Sequence, residues 1–189
     1  MDHEVLKNIK EGDFKSYSAF YTGYFRKLYN YGKKFTTDGG IIEDAIQDIF
    51  LSFWKNRSNL PAAETINSYL ISSFRYTLFR KLKQSRNITD FTGGDEPDFS
   101  ADHFLIRREM DAELRQRFYV AIQALTPRQR EAIFLRFYEG LSYEEIAVIM
   151  NITVKATYKI MARSLDALKE MLPVSLAMLL MLLSRPIQN

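Results

Sequence analysis

Between residues 14 and 31, apolar and aromatic side chains recur every three or four positions: Phe14, Tyr17, Phe20, Tyr21, Tyr24, Leu28 and Tyr31. That spacing keeps them on one face of a helix and predicts an amphipathic element turned toward a core. A turn at Asp38-Gly39-Gly40 precedes a second helix, expected from about Ile41 to Lys55. There Ala45, Ile49 and Phe53 line one side and Glu43, Asp44, Gln47 and Asp48 the other. After the break at Pro61 a third helix is expected from about Ile66 to Gln84. No stretch shows sustained period-two alternation of β-branched residues, so strands are not supported. The chain reads as all-α.

Two helix starts are written in local chemistry. Thr126-Pro127-Arg128-Gln129 offers a capping threonine, proline at the first helical position and a glutamine placed to close a capping box. Ser142-Tyr143-Glu144-Glu145 is a second capping box, opening a short helix to Met150 in which Ile146 and Ile149 supply the buried face. Ala147 is small where another helix must approach. Asn151 tolerates the left-handed backbone of a sharp turn, Ile152 plugs the corner and Thr153 caps the next helix. Val154, Met161, Leu165 and Leu168 then form an inward stripe, while Lys155, Lys159 and Arg163 repeat every four residues on another face. Two short helices around a tight turn are the pattern of a helix-turn-helix, whose second helix fits the major groove of DNA.

Charge divides the chain into three. Residues 1–89 carry fourteen Lys/Arg against nine Asp/Glu, residues 90–114 two against eight, and residues 115–189 ten against six. Basic flanks around an acidic middle suit two modules that touch a polyanion and a joint that does not. The segment from Asp90 to Ser100 combines Gly, Pro and acidic residues with no apolar period, and reads as a linker. The expected domains are therefore residues 1–89 and 101–172, joined by 90–100 and followed by an apolar tail, 173–189.

Several function classes fall away on residue inventory. The chain has no cysteine, and His3 and His103 stand alone, so neither disulfide nor metal site is expected. No phosphate loop or nucleophile constellation appears, and Glu144 and Glu145 are better employed in capping, so no enzyme activity and no cofactor are expected. The start Met1-Asp2-His3-Glu4 lacks the basic and apolar parts of a secretory signal, which predicts a cytoplasmic protein. The tail from Pro173 to Leu183 would reach only ~15 Å as a helix, half a bilayer core, so no membrane insertion is expected. It is apolar on every face and must be covered, by the chain's own domains or by a partner.

The segment from Leu125 to Met171 resembles the carboxy-terminal, upstream-element-reading domain of bacterial sigma factors. IEDAIQDIFLSFW, Ile42 to Trp54, resembles the helix by which that family docks on the clamp of core RNA polymerase, with Asp44, Gln47, Asp48, Phe50 and Trp54 at the matching positions. NSYLISSFRYTLFRKLKQSR, from Asn67, resembles the segment that opens and reads the downstream promoter element. On that resemblance Arg75, Arg80, Lys81, Lys83 and Arg86 would follow phosphates, and Phe74, Tyr76 and Phe79 could stack unpaired bases, with at least one of the three in the core. Arg57, Asn59 and Asn67 are further candidates from the preceding loop. In the recognition helix Lys155, Tyr158, Lys159 and Arg163 would face DNA. The class implied is the extracytoplasmic-function (ECF) sigma factors, with core RNA polymerase, promoter DNA and an anti-sigma factor as partners. Tyr76 stands where the family usually has asparagine, Tyr158 where it has a basic residue, and Ile160 at another commonly basic position. The Tyr158 variant and the apolar tail resemble the sigma factors of Bacteroidetes. From the residues alone, two other readings stand beside this one: a helix-turn-helix operator-binding regulator that needs no polymerase, and a helical adaptor or anti-sigma-like protein.

Overall fold

A computed structural model describes residues 3–85, 99–100 and 112–172. Among the described residues there are eight α-helices, one short 3-10 turn and no strand. The helices are α1 (His3–Lys10), α2 (Phe14–Gly32), α3 (Gly39–Lys55), α4 (Ile66–Ser85), α5 (Ala112–Ala124), α6 (Pro127–Phe137), α7 (Tyr143–Met150) and α8 (Val154–Met171). The fold is all-α, as its periodicity predicts. The chain divides into two compact units, residues 1–97 and 98–189. Arg86, most of the acidic linker and the apolar tail lie outside the described residues.

In the first unit α3 and α4 pack together, with α2 across them. Ile42, Ala45, Ile46, Ile49, Phe50 and Phe53 of α3 and Ile66, Leu70, Ile71, Phe74, Leu78 and Leu82 of α4 are all buried. Gly32 ends α2 where no larger residue fits, since a β-carbon there would lie 2.8 Å from Ile42 Cγ2 and 3.0 Å from Phe74 Cζ. The expected stripe on α2 is buried at Phe20, Leu28 and Tyr31, half-buried at Tyr17, Tyr21 and Tyr24, and exposed at Phe14. Phe14 opens the helix and leans on the rim, its ring 5.9 Å from that of Trp54. Helix α1 was not foreseen, because only Leu6 and Ile9 anchor its eight residues, too short a pattern to show a period.

Capping closes these helices. Asp13 accepts hydrogen bonds from the backbone N–H of Ser16 (2.9 Å) and Lys15 (3.3 Å) at the start of α2. Asp38 accepts from Ile41 N–H (3.1 Å) at the start of α3. Hydrogen bonds from Ser16, side chain first and backbone second, hold the Asp13 carboxyl below the usual carboxylate range.

In the second unit α8 packs on α5, α6 and α7, and all residues of α6 from Arg130 to Leu135 are buried. Its expected capping box is present: Gln129 N–H donates to Thr126 Oγ1 at 3.3 Å, and Thr126 N–H donates to Gln129 Oε1 at 2.9 Å. Arg130 is buried because its guanidinium satisfies backbone carbonyls, donating to Gln123 O (3.0 Å), Leu125 O (2.7 Å) and Phe99 O (2.5 Å). Phe99 itself is buried, its ring 5.5 Å from Phe134. Composition put Phe99 in the linker, yet it is a core residue of the second unit: a single aromatic among acidic and small residues gives no period to reveal it.

Candidate functional site

The turn between α7 and α8 is built as its sequence chemistry predicts. Ser142 Oγ accepts from Glu145 N–H (3.1 Å), and Ser142 N–H donates to Glu145 Oε2 (2.8 Å). Asn151 adopts φ 52°, ψ 52°, and the following Ile152 N–H donates back to Ala147 O at 3.0 Å, closing α7 with a left-handed cap. Thr153 then accepts from Ala156 N–H at 3.1 Å and starts α8. Ile146, Ala147 and Ile149 are buried. A glycine-free turn this tight fixes the direction in which α8 leaves the domain.

The inner seam of α8 differs in part from expectation. Met161 and Leu168 are buried, Leu165 is half-buried, and Val154 is exposed. The seam is completed by Thr157 and Ser164, both fully buried. Sequence reasoning missed them because their hydroxyls are polar. Each satisfies itself on the carbonyl four residues earlier: Thr157 Oγ1 donates to Thr153 O (3.3 Å) and Ser164 Oγ to Ile160 O (2.7 Å). Their spacing with Met161 and Leu168 is the signal that could have found them. On the outer face Lys155, Tyr158, Lys159 and Arg163 are all exposed. The Tyr158 ring lies 4.2 Å from that of Tyr143 on α7.

On α3, Asp44, Gln47 and Asp48 form an exposed acidic and amide stripe. Phe50, read as part of the docking set, is instead a core residue, 1% exposed and packed against Phe20 and Tyr21. Its place four residues after Ile46 and three before Phe53 puts it on the buried face. Trp54 is half-buried at the rim, with the Tyr17 ring at 4.6 Å and the Arg57 guanidinium 4.9 Å over it. Leu51, which the sequence reading passed over, is 57% exposed. It stands three and four residues beyond Asp48 and Gln47, an apolar side chain on a polar face.

Helix α4 sorts its basic and aromatic residues sharply. Arg75 is buried, its guanidinium 4.3 Å over the Phe79 ring, so it is a packing residue and not a phosphate contact. Phe74 and Phe79 are buried as well, and neither can stack a base. Tyr76 is 70% exposed. Tyr69, seven residues earlier on the same helix face, is also exposed and was missed. Tyr69, Tyr76, Arg80 and Lys83 thus share one outer stripe, with Lys83 half-buried. Lys81 turns toward α3, where its Nζ lies 2.9 Å from Asp48 Oδ2, with an Arg80 nitrogen 3.9 Å from the same oxygen. Arg57 donates to Trp54 O (3.2 Å) and Asn67 accepts from Lys27 Nζ (3.1 Å), so both are engaged within the unit.

Among the described residues no group of three His, Cys, Asp or Glu could hold a metal ion, and no helix is long and apolar enough to cross a membrane. The described surface carries one acidic face and two basic, aromatic ones.

Comparison with known proteins gives these faces a context. Residues 20–88 match the family model of sigma-70 region 2, and residues 115–168 that of sigma-70 region 4. The chain is 26% identical over 175 residues to the ECF RNA polymerase sigma factor SigK of Mycolicibacterium vanbaalenii, covering 90% of this chain and 89% of that protein. It is 24% identical over 185 residues to the RNA polymerase sigma-H factor of Pseudomonas aeruginosa, covering 90% and 93%. Among solved structures, the fold is similar to CnrH in complex with the cytosolic domain of CnrY (TM-score 0.58, 16% identity, 89% and 95% covered). It is also similar to the sigma factor RpoE in complex with the anti-sigma factor NepR from Bartonella quintana (TM-score 0.58, 22% identity, 85% and 99% covered).

Proposed function

The chain belongs to the sigma-70 family, in its extracytoplasmic-function class, and from that premise we propose how its surfaces divide the work of directing RNA polymerase to promoters. The acidic stripe Asp44, Gln47 and Asp48, with Leu51 beside it and Trp54 at the rim, docks on a basic surface of core polymerase. The outer stripe of α4, Tyr69, Tyr76, Arg80 and Lys83, follows the separated strand of the downstream element, and Lys81 joins it when Asp48 is engaged elsewhere. Helix α8 enters the major groove of the upstream element with Lys155, Tyr158 and Lys159 near bases and Arg163 nearer phosphate.

One observation carries this reading: an exposed acidic helix face and two exposed basic, aromatic faces occur in the order of the two matched regions. An operator-binding regulator would leave the acidic face unemployed, and an adaptor would need neither basic stripe. The two units, which take in the expected domains of residues 1–89 and 101–172, act as separate modules on one promoter. The protein works as a binding factor, not an enzyme, in the cytoplasm where polymerase is. The solved relative RpoE is held by an anti-sigma factor, which supports an inhibitor of that kind here.

Reconstitution tests the proposal. Core RNA polymerase with the full chain should start transcripts at defined positions on genomic DNA fragments, where core enzyme alone starts none. Failure to bind core polymerase, or initiation with no defined start, would refute it.

A further inference from the structure

The recognition helix carries at its outer surface an aromatic contact that the core does not require. Tyr158 is 52% exposed, yet its ring lies 4.2 Å from the Tyr143 ring at an interplanar angle of 31°. Tyr143, the first residue of α7, is in turn covered by the Arg136 guanidinium 5.0 Å from its ring. Arg136 is itself fixed, donating through Nη1 to Leu141 O at 2.8 Å. Three helices thus contribute one residue each to a stack, α6 by Arg136, α7 by Tyr143 and α8 by Tyr158. Meanwhile α8 is anchored by the buried seam of Thr157, Met161, Ser164 and Leu168, which runs to one side of Tyr158.

We propose that Tyr158, held in place by Tyr143, reads the methyl group of a thymine in the upstream element. The proposal rests on α8 lying in the major groove. Tyr158 stands one turn beyond Lys155 and next to Lys159, in the early part of α8 where a recognition helix comes nearest the bases. Guanine readout there uses two parallel donors, which a phenol lacks; an aromatic ring instead offers apolar contact to the thymine C5-methyl. A tyrosine has few rotatable bonds, and the stack on Tyr143 restricts those, so the ring is ordered before DNA arrives. Tyr158 is the specificity-determining residue and Tyr143 a positioning residue, with Arg136 behind it.

The test uses the full chain with core RNA polymerase, selecting bound sequences from a random double-stranded pool. One selected thymine should depend on Tyr158: replacing it with uracil, which lacks only the methyl, should weaken wild-type binding about fourfold, the worth of one buried methyl. Tyr158→Ala should lose both the preference and the uracil effect at that position alone, with its salt dependence unchanged. Tyr158→Phe and Tyr143→Phe, which keep the rings, should retain the effect, and Tyr143→Ala should diminish it. Tyr158→Arg should move the preference toward guanine. If Tyr158→Ala still distinguishes thymine from uracil everywhere, the proposal is overturned while the placement of α8 stands. If Tyr143→Ala matches wild type, the positioning role is overturned. If the wild type selects no upstream sequence and Lys155→Ala with Lys159→Ala changes nothing, the placement of α8 itself falls, and this proposal with it.

Discussion

Asp48 is claimed by two neighbours at once, which makes its replacement the most informative perturbation of the first unit. In the free chain its carboxylate meets Lys81 at 2.9 Å and Arg80 at 3.9 Å, with the Asp48 side chain 46% exposed. Pairs this exposed are worth about 0.2–1 kcal/mol, because solvent screens them and long side chains lose freedom in making them. Asp48→Arg removes that attraction and sets a third cation beside two others, so it should destabilise the fold by about 1–2 kcal/mol. Loss of a charged contact buried against a basic partner is larger, on the order of 2–5 kcal/mol, or roughly thirtyfold to several-thousandfold in affinity. Binding of the variant to core polymerase should fall by that larger factor, measured by titration in the absence of DNA, with helicity intact by circular dichroism. The swapped double variant Asp48→Arg, Lys81→Asp separates the two effects, since it restores an internal pair without restoring the acidic stripe. It should recover stability and leave polymerase binding weak. If the double variant docks as wild type does, Asp48 acts only through its intramolecular pair, and the assignment of this face to polymerase is wrong.

Asn151→Val should destabilise the second unit by about 1–2 kcal/mol in urea unfolding, because a β-branched residue resists the left-handed turn, whereas Asn151→Gly should be nearly silent. Phe74→Ala should cost about 3–5 kcal/mol of stability by opening a cavity beside Tyr31 and Gly32 of α2, while Tyr76→Ala should stay within about 0.5 kcal/mol yet weaken single-stranded promoter binding by about 1–3 kcal/mol. Arg163→Ala should reduce the slope of log affinity against log salt by about one unit and leave sequence preference unchanged; the opposite pattern would give Arg163 a base contact. At Asp13 the folded carboxyl titrates below its unfolded counterpart, so its capping contribution is complete above the unfolded value and lost as pH falls through the folded one. Asp13→Asn should therefore flatten the acid limb of the unfolding midpoint against pH, and an unchanged limb would deny the cap its role.

What the sequence disclosed and what it hid divide along a physical line. Ser142, Asn151 and Thr153 were legible because capping and left-handed turns are decided by residues within three or four positions of one another. The acidic stripe of α3 was legible because its other face is continuously apolar. Arg75 and Phe50 were misplaced because helices α3 and α4 are covered on more than one side. In α4, five of the six residues from 74 to 79 are buried, Tyr76 alone being exposed, and a stripe that wide leaves no period to tell an inward arginine from an outward one. Arg75 escapes the usual penalty for a buried cation partly by lying over the Phe79 ring, a partner visible only in three dimensions. Thr157 and Ser164 were hidden for the converse reason: a polar letter in a buried seam is silenced by a hydrogen bond to its own helix.

The same division bears on how such a protein acquires a new promoter preference. The orientation of α8 is set by the Asn151 turn, the Thr153 cap and the seam Thr157, Met161, Ser164 and Leu168. None of the outer residues Lys155, Tyr158, Lys159 or Arg163 belongs to that frame. Surface substitutions away from caps and core generally alter stability by no more than about 0.5 kcal/mol, so the outer face is free to vary while the helix stays where it is. Departures from the family's usual residues at Tyr158 and Ile160 fall on or beside that face. Tyr158 is the exception that carries a constraint, since its ring rests on Tyr143 and, through it, on Arg136. A change at Tyr158 leaves Tyr143 without its outer neighbour, so preference at that one base should shift together with the residue at position 143, whereas Lys155, Lys159 and Arg163 should vary independently of it.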